Sequence, residues 1–118
     1  MPVVHIRALR TLETDVDIVL TTTADAVARA LDADPHGTWC TFAPLFGESL
    51  GTELVDYGGI AYVDVWLRAR DEAQERAVLV AACRAVAGAL GIPVEDVWGT
   101  LRRVEPGQVF AGGGLVED

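Results

Sequence analysis

The chain has 118 residues, of which 18 are acidic and 9 are basic, so its formal charge is −9. This length is typical of one domain of ~100–150 residues, and the acidic balance argues against a surface that binds nucleic acid. All nine basic residues are arginines, and the absence of lysine excludes a Schiff-base lysine, a pyridoxal-phosphate enzyme and a standard P-loop.

Few side chains are left for metal binding or for covalent catalysis. Cys40, Cys83, His5 and His36 are too widely separated in the sequence to form a zinc motif. The single serine, Ser49, has no Gly-x-Ser-x-Gly context, which disfavours serine hydrolysis. The sequence therefore predicts no metal site.

Apolar residues are abundant for an acidic chain: 51% of the sequence is hydrophobic, and the mean hydropathy is +0.29. A domain of this size buries only ~65% of its unfolded surface, so we expect the excess apolar residues to lie in a subunit interface. No apolar run approaches the ~18–20 residues of a membrane span, and the N-terminal residues lack the order of a signal peptide. These features predict a cytoplasmic oligomer with no membrane partner.

The first half of the chain has the pattern of a strand, a helix and a second strand. Residues 2–9 alternate between two faces, with Pro2, Val4, Ile6 and Ala8 on one and Val3, His5, Arg7 and Leu9 on the other. Apolar residues then recur at helical spacing from about residue 15 to residue 31. A second strand is predicted over 38–43.

The same order of elements follows a glycine-rich linker, residues 46–59, which has room for a short hairpin. Residues 61–69 alternate in the same phase as the first strand. Asp71 and Gln74 resemble a capping box that opens a second helix, and Gly91 is a natural residue to end it.

A last long strand is predicted over 97–104, followed by a glycine-rich tail at 107–114. No helix follows these glycines, so the tail is predicted to be a turn rather than a phosphate-binding loop.

The two halves are copies of one unit. Aligning residues 2–44 with residues 61–103 gives 11 identities over 43 pairs, including the match of Trp39 with Trp98. A matched tryptophan is much rarer by chance than a matched alanine, which supports a true repeat. Because a helix joins the two strands within each copy, those strands are expected to be parallel, as in a βαβ unit.

Pro2 is the first candidate for chemistry. Removal of the initiator methionine before a small residue would leave proline with a free secondary amine. An α-amino group titrates near ~8, and burial together with nearby positive charge disfavours its protonated form. Such an amine can act as a general base near neutral pH. Proline is also an ordinary first residue of a strand, so Met-Pro alone does not decide between the two readings.

Arg68 and Arg70 are the second candidate. Two residues apart at the end of a strand, they can project from the same side and bind one carboxylate with two guanidinium groups. They equally fit a solvated pair at a strand-to-helix turn, bound to the neighbouring Asp71 or Glu72.

Pro2 at the start of the first strand, two βαβ copies and this chain length together resemble the tautomerase superfamily. Its members include 4-oxalocrotonate tautomerase, malonate semialdehyde decarboxylase and macrophage migration inhibitory factor. The segment from Leu67 to Gln74 resembles the junction that carries a carboxylate-binding arginine, which falls at Arg70, and Arg68 completes a pair like that of the decarboxylase. The segment from Pro106 to Gly113 resembles the hairpin of the superfamily, whose active-site phenylalanine falls at Val109 or Phe110.

The sequence departs from this pattern in its second arginine. The position of that arginine is taken by Trp39 in the first copy and by Trp98 in the second, so the resemblance implies aromatic walls there. Arg10 lies close to the position that matches Arg70, but not at it. The resemblance therefore implies one full arginine site per chain.

We expect an α/β fold in which the tandem βαβ repeat, residues 1–118, forms one four-stranded mixed sheet with two helices on one face. Val4, Ile6, Val63 and Val65 should face the helices. The resemblance implies a homotrimer built around the other, mixed face of the sheet. A rival prediction is a ferredoxin-like domain that pairs face to face as a dimer.

The resemblance implies an enzyme in which Pro2 transfers a proton on a small 2-oxo or unsaturated carboxylate. Arg68 and Arg70 would hold the carboxylate, and Trp98, Trp39 and Phe110 would line the pocket. Tautomerisation is the expected reaction, with decarboxylation and hydration as close relatives, and no cofactor is required. The alternatives are a non-catalytic binding protein on the same trimeric scaffold and a ferredoxin-like dimer that binds a small molecule.

Overall fold

A computed structural model of the chain describes residues 2–9, 13–55 and 59–117. Met1 and Arg10 therefore lie outside the described residues. The strands and helices are β1 (Val3–Leu9), α1 (Val16–Leu31), β2 (Trp39–Leu45), β3 (Glu48–Leu50), β4 (Glu53–Val55), β5 (Ala61–Arg68), α2 (Glu72–Leu90), β6 (Val97–Val104), β7 (Val109–Ala111) and β8 (Gly114–Val116).

The long strands form a four-stranded mixed sheet in the order β2-β1-β5-β6. β1 pairs in parallel with β2, and β5 in parallel with β6, while β1 and β5 are antiparallel at the centre. This arrangement confirms the predicted fold class. A ferredoxin-like domain splits its βαβ units with an intervening strand. Here the two parallel strands of each unit are direct neighbours, so the rival fold was wrong.

Alternating residues of the central strands build the core. Val4, Ile6, Val63 and Val65 are completely buried, and they face the helices as their alternation predicts. The helices pack against them with buried residues of their own: Val19, Val27 and Leu31 from α1, and Val78, Ala82 and Val86 from α2. The other side of the sheet, called here the open face, carries the residues of intermediate or full exposure on the same strands.

Local signals set the ends of both helices. The Asp15 carboxylate accepts a hydrogen bond from the Ile18 N–H at 3.2 Å, and the Asp71 carboxylate accepts one from the Gln74 N–H at 3.0 Å. Each bond satisfies a backbone donor that the first helical turn leaves unpaired. Helix α2 ends at Gly91, whose φ of 70° is a left-handed conformation that glycine adopts at little cost.

Two short hairpins complete the chain. β3 pairs with β4 inside the predicted linker, and β7 pairs with β8 in the glycine-rich tail. In the second hairpin Phe110 lies directly opposite Leu115, and both side chains are exposed. Of the helices within the described ranges, neither is long and apolar enough to cross a membrane.

Strand β6 approaches α2 closely at Gly99. A Cβ atom at this position would overlap the sulfur of Cys83, and it would lie 3.3 Å from Leu79 Cδ1. Burial raises the pKa of the Cys83 thiol, as it raises the pKa of Cys40 to about 11, so both cysteines act as packing residues.

We expect Gly99→Ala to lower the free energy of unfolding by about 1–3 kcal/mol, because the added methyl group overpacks the contact between β6 and α2. Urea denaturation measures this change. Gly88→Ala is the control: it lies in α2 with nothing within 4 Å of the added atom, and it should stabilise the protein slightly. Combining Gly99→Ala with Cys83→Ala should cost less than the sum of the two single changes. A strictly additive double variant would contradict the contact.

Candidate active site

One end of the sheet gathers several of the residues that the sequence singles out. β1 and β2 begin there, and β5 ends there, because Val3 pairs with Trp39 on one side and with Trp66 on the other. Pro2 is buried immediately before β1, and its carbonyl accepts a hydrogen bond from the Trp39 N–H at 3.1 Å. Arg68 is the last residue of β5, so it lies at the same end of the sheet.

A cavity of about 960 Å³ opens between this end of the open face and the β7–β8 hairpin. Its lining consists of Val3, Trp66, Arg68, Arg102, Arg103, Val104, Gln108, Val109, Phe110, Ala111 and Val116. The volume lies at the upper end of the ~300–1,000 Å³ that ligand pockets occupy. The lining holds Arg68, Arg102 and Arg103. The charge of Arg103 is balanced by Glu75, so the charges of Arg68 and Arg102 are the ones that can attract an anion.

Of the predicted site residues, Arg68 and Phe110 line this cavity, and Pro2, Arg70, Trp39 and Trp98 do not. Arg68 and Arg70 are exposed, and neither guanidinium forms an ion pair with any residue in the described part of the chain. Unpaired guanidinium groups of this kind are available to an anionic ligand, because no internal carboxylate has to be displaced.

The two tryptophans that the repeat matches lie at opposite ends of the sheet. Trp39 neighbours Pro2 through the backbone hydrogen bond described above. Trp98 pairs with Tyr62 and lies four residues before Arg102 on β6. At the ~3.3 Å rise of a strand residue, Trp98 and Arg102 are about 13 Å apart along the strand. Both side chains are more than 60% exposed, at 62% and 64%. A single chain therefore brings Trp39, but not Trp98, close to the cavity.

Arg102 is a site residue that the sequence analysis missed. It pairs with Trp66 across β5 and β6, and its guanidinium lies over the Trp66 ring at 5.6 Å from the centroid. This cation–π contact leaves the hydrogen-bond donors of the guanidinium open to a ligand. Extending the strand alternation into 97–104 places residue 102 on the open face, and that signal could have found it.

Glu75 and Arg103 form the best-buried ion pair near the cavity. The Arg103 Nε and Nη2 atoms donate to the two oxygens of Glu75 at 3.0 Å and 3.1 Å, and Glu75 is only 8% exposed. Glu75 also accepts the Arg70 N–H at 2.8 Å. The hydrogen bonds from Arg103 and from the Arg70 backbone hold the pKa of the Glu75 carboxyl below its usual range.

A band of polar side chains crosses the open face beside the cavity. His5 Nδ1 lies 2.6 Å from Thr41 Oγ1, and the Thr100 hydroxyl donates to Asp64. Arg7 Nη2 contacts the other oxygen of Asp64 at 3.4 Å. The open face is thus polar at its centre, as the mixed alternation predicts. Over the described ranges, His, Cys, Asp and Glu do not cluster in a group that could hold a metal ion.

Solved structures with the same architecture were found. A structure described as a fused 4-OT symmetric trimer matches with a TM-score of 0.82 at 19% identity, over 98% of this chain and 95% of that one. Pt0534 inactivated by 2-oxo-3-pentynoate matches with a TM-score of 0.84 at 19% identity, over the same shares of 98% and 95%. A macrophage migration inhibitory factor-like protein from Entamoeba histolytica matches with a TM-score of 0.76 at 9% identity, over 97% of each chain.

At these identities the likeness concerns the fold. The chain has the tautomerase fold, which confirms the fold that the sequence resemblance implied. No family model matches the sequence, and no curated protein matches it either.

The Glu75–Arg103 pair generates a prediction on acid stability. Because the pKa of Glu75 is lower in the folded chain than its ordinary value of 4.5, its stabilising effect is complete above that value and is lost as the pH falls through the folded pKa. The difference in unfolding free energy between the wild type and Glu75→Gln should therefore be largest at neutral pH and shrink below pH 4.5. Urea titrations at several pH values measure it.

Glu72→Gln is the control for that titration. Glu72 forms an exposed ion pair with Arg76 one turn along the same helix, and such pairs contribute only about 0.3–0.5 kcal/mol. A pH-independent difference for Glu75→Gln, or an equal effect of both variants, would contradict the role given to Glu75.

Proposed function

We propose that the chain is a tautomerase-like enzyme that uses Pro2, as a free N-terminal amine, on a small 2-oxo or unsaturated carboxylate. The observation that carries the proposal is the register of the sheet. The pairing of Val3 with Trp66 puts the start of β1 beside the end of β5, and so puts Pro2 at the same end of the sheet as Arg68, which forms no ion pair within the described ranges. An amine and an anion-binding group at one site are the parts that proton transfer on a carboxylate needs.

Pro2 would act as the general base and then as the general acid. Its burial disfavours the protonated amine, and so do the positive charges of the nearby arginines. The neutral nitrogen removes the hydroxyl proton of the substrate enol, and the electron pair shifts to form the ketone. The resulting ammonium delivers a proton to the substrate carbon, which returns Pro2 to its neutral form and completes the isomerisation. This chemistry requires that Met1 be removed, since an amide nitrogen cannot accept the proton.

Arg68 and Arg70 would hold the substrate carboxylate and stabilise the negative charge of the enolate. Arg102 supplies a further positive charge in the cavity that Arg68 and Phe110 also line. Phe110 and Trp39 would exclude water from the amine, which keeps its pKa low. Decarboxylation or hydration would use the same groups on a different substrate.

The proposed assembly is a homotrimer. A structural neighbour is described as a symmetric trimer, and this chain exposes large apolar side chains, among them Trp39, Trp66 and Trp98, that contact with other copies would bury. In such an assembly Trp98, which is remote from the cavity of its own chain, would reach the cavity of another copy. Sedimentation equilibrium should give three times the chain mass, and a monomer or a dimer would contradict the assembly.

A non-catalytic binding protein on the same scaffold is the second candidate, favoured by the departure of Trp39 and Trp98 from the arginine of the family pattern. The two candidates differ in Met1, which intact-mass measurement resolves. Retention of Met1 on the mature chain would favour the binding protein. The substrate class and the cytoplasmic location stay predictions.

The activity test is ketonisation of phenylenolpyruvate or 2-hydroxymuconate by protein whose Met1 has been removed. We expect Pro2→Ala to lower kcat/KM by about 10²-fold, the lower range of a general-base contribution, because alanine keeps an N-terminal amine. Arg70→Ala should raise KM through the lost carboxylate contact. Arg84→Gln, an exposed arginine of α2 away from the cavity, is the matched control and should change neither constant. Full activity of Pro2→Ala would contradict the role of Pro2 as the general base.

The neighbour's inactivator offers a second test. Pt0534 is described as inactivated by 2-oxo-3-pentynoate, a ketone conjugated to an alkyne. In this chain the Pro2 nitrogen would add to the alkyne carbon distant from the ketone, and a proton would go to the adjacent carbon. Nothing leaves, so the chain should gain the full mass of one reagent molecule on its N-terminal peptide. Labelling at another peptide would argue against Pro2 as the nucleophile.

A further inference from the structure

The turn between β5 and α2 is held at three successive residues. The Ala69 N–H donates to the Val104 carbonyl at 3.2 Å, which continues the ladder between β5 and β6. The Arg70 N–H donates to Glu75 at 2.8 Å. The Asp71 carboxylate caps α2 through the Gln74 N–H at 3.0 Å. A surface turn is usually among the more mobile parts of a fold, whereas hydrogen bonds hold this one at each of these three residues.

Arg103 completes the attachment from the other side. Its Nη2 atom donates to the Arg70 carbonyl at 3.3 Å, while Nε and Nη2 bind Glu75. The backbone N–H and the carbonyl of Arg70 are therefore both hydrogen-bonded to the Glu75–Arg103 pair. The charged fork of Arg103 is directional, because a planar guanidinium fixes the orientation of the carboxylate that it binds with two nitrogens.

The Glu75–Arg103 pair links the cavity to the turn that carries Arg70. Arg103 lines the cavity with Arg68 and Arg102, and it comes from β6. Glu75 lies in the first turn of α2, so its bonds to Arg103 fix the start of that helix against the end of β6. The backbone of Arg70 is hydrogen-bonded to both Glu75 and Arg103, and its guanidinium is unpaired within the described residues.

We infer that Glu75 and Arg103 are positioning residues, which hold the 68–71 turn so that Arg68 and Arg70 converge on one substrate carboxylate. The inference rests on the proposed function and deepens it. Neither residue needs to touch the substrate. Their role is to reduce the conformational freedom that the backbone of this turn would otherwise lose on binding, and preorganisation of this kind strengthens binding without a new contact.

The first measurement is amide hydrogen exchange of the 68–71 segment in the intact protein, which does not depend on activity. The Arg70 amide should be protected in the wild type, and Glu75→Gln should raise its exchange rate. Glu72→Gln removes a carboxylate from the same helical turn without touching Arg70, so it should leave the exchange rate unchanged. Unchanged exchange in Glu75→Gln would overturn the inference.

The second measurement separates positioning from mere stability, with phenylenolpyruvate as the probe. Glu75→Gln and Arg103→Lys should each raise KM by about 10-fold while kcat changes less than about 2-fold, because a loosened turn weakens carboxylate binding and leaves Pro2 intact. Since the two residues act as one unit, the double variant should be no worse than either single variant. Val27→Ala, a buried change in α1, lowers stability without touching the turn and should leave KM unchanged.

The outcomes are distinguishable. An active wild type whose KM is the same in Glu75→Gln and Arg103→Lys overturns the positioning role and leaves the proposed function standing. A KM that rises equally in Val27→Ala assigns the effect to stability and also overturns the inference. A wild type that lacks activity after removal of Met1 overturns the proposed function, and the inference falls with it.

Discussion

The antiparallel pairing of β1 with β5 is the constraint on which the candidate site depends. It sets the start of one βαβ unit against the end of the first strand of the other, so that Val3 meets Trp66 and the chain's N-terminal end meets Arg68. If the two units were joined in parallel, Pro2 would lie at the opposite end of the sheet from that arginine. The register is itself fixed by burial, because a slip of one residue would expose Val4 and Ile6 and bury Arg7 and His5.

The candidate site is positively charged because its arginines differ from the other arginines of the chain in their ion-pair partners. Arg7, Arg29 and Arg76 are each bound to a carboxylate on the surface. Among the residues that the structure describes, Arg68 and Arg70 have no such partner, and their turn is attached through Arg103, whose charge is already shared with Glu75. A chain with a formal charge of −9 thus keeps a small positive region for an anion, while its net charge repels polyanions.

Most of the fold could be predicted from the sequence, because its signals are local. Alternation identified β1 and β5 and their buried faces, helical spacing identified α1, and Asp71 and Gly91 marked the ends of α2. The repeat then constrained the order of the elements. The glycines of the linker left room for a hairpin, and the resemblance implied the hairpin of the tail, but neither signal specified the strand bounds.

The candidate site was less predictable, because it depends on contacts between distant elements. Arg102 enters the cavity through the register of β6 on β5, and the Glu75–Arg103 pair joins residues 28 positions apart. Pairing register and side-chain partners of this kind are not encoded in any one segment. The match of Trp39 with Trp98 indicated a repeat. The two tryptophans lie at opposite ends of the sheet because the two units run in opposite directions, and the repeat alone does not specify those directions.

The most direct test of the central claim is a crystal structure of the chain, with Met1 removed, after reaction with 2-oxo-3-pentynoate. Our account predicts a covalent bond from the Pro2 nitrogen to the reagent, with the reagent carboxylate within hydrogen-bond distance of Arg68 or Arg70. Unmodified Pro2, or a reagent carboxylate bound away from both arginines, would contradict it.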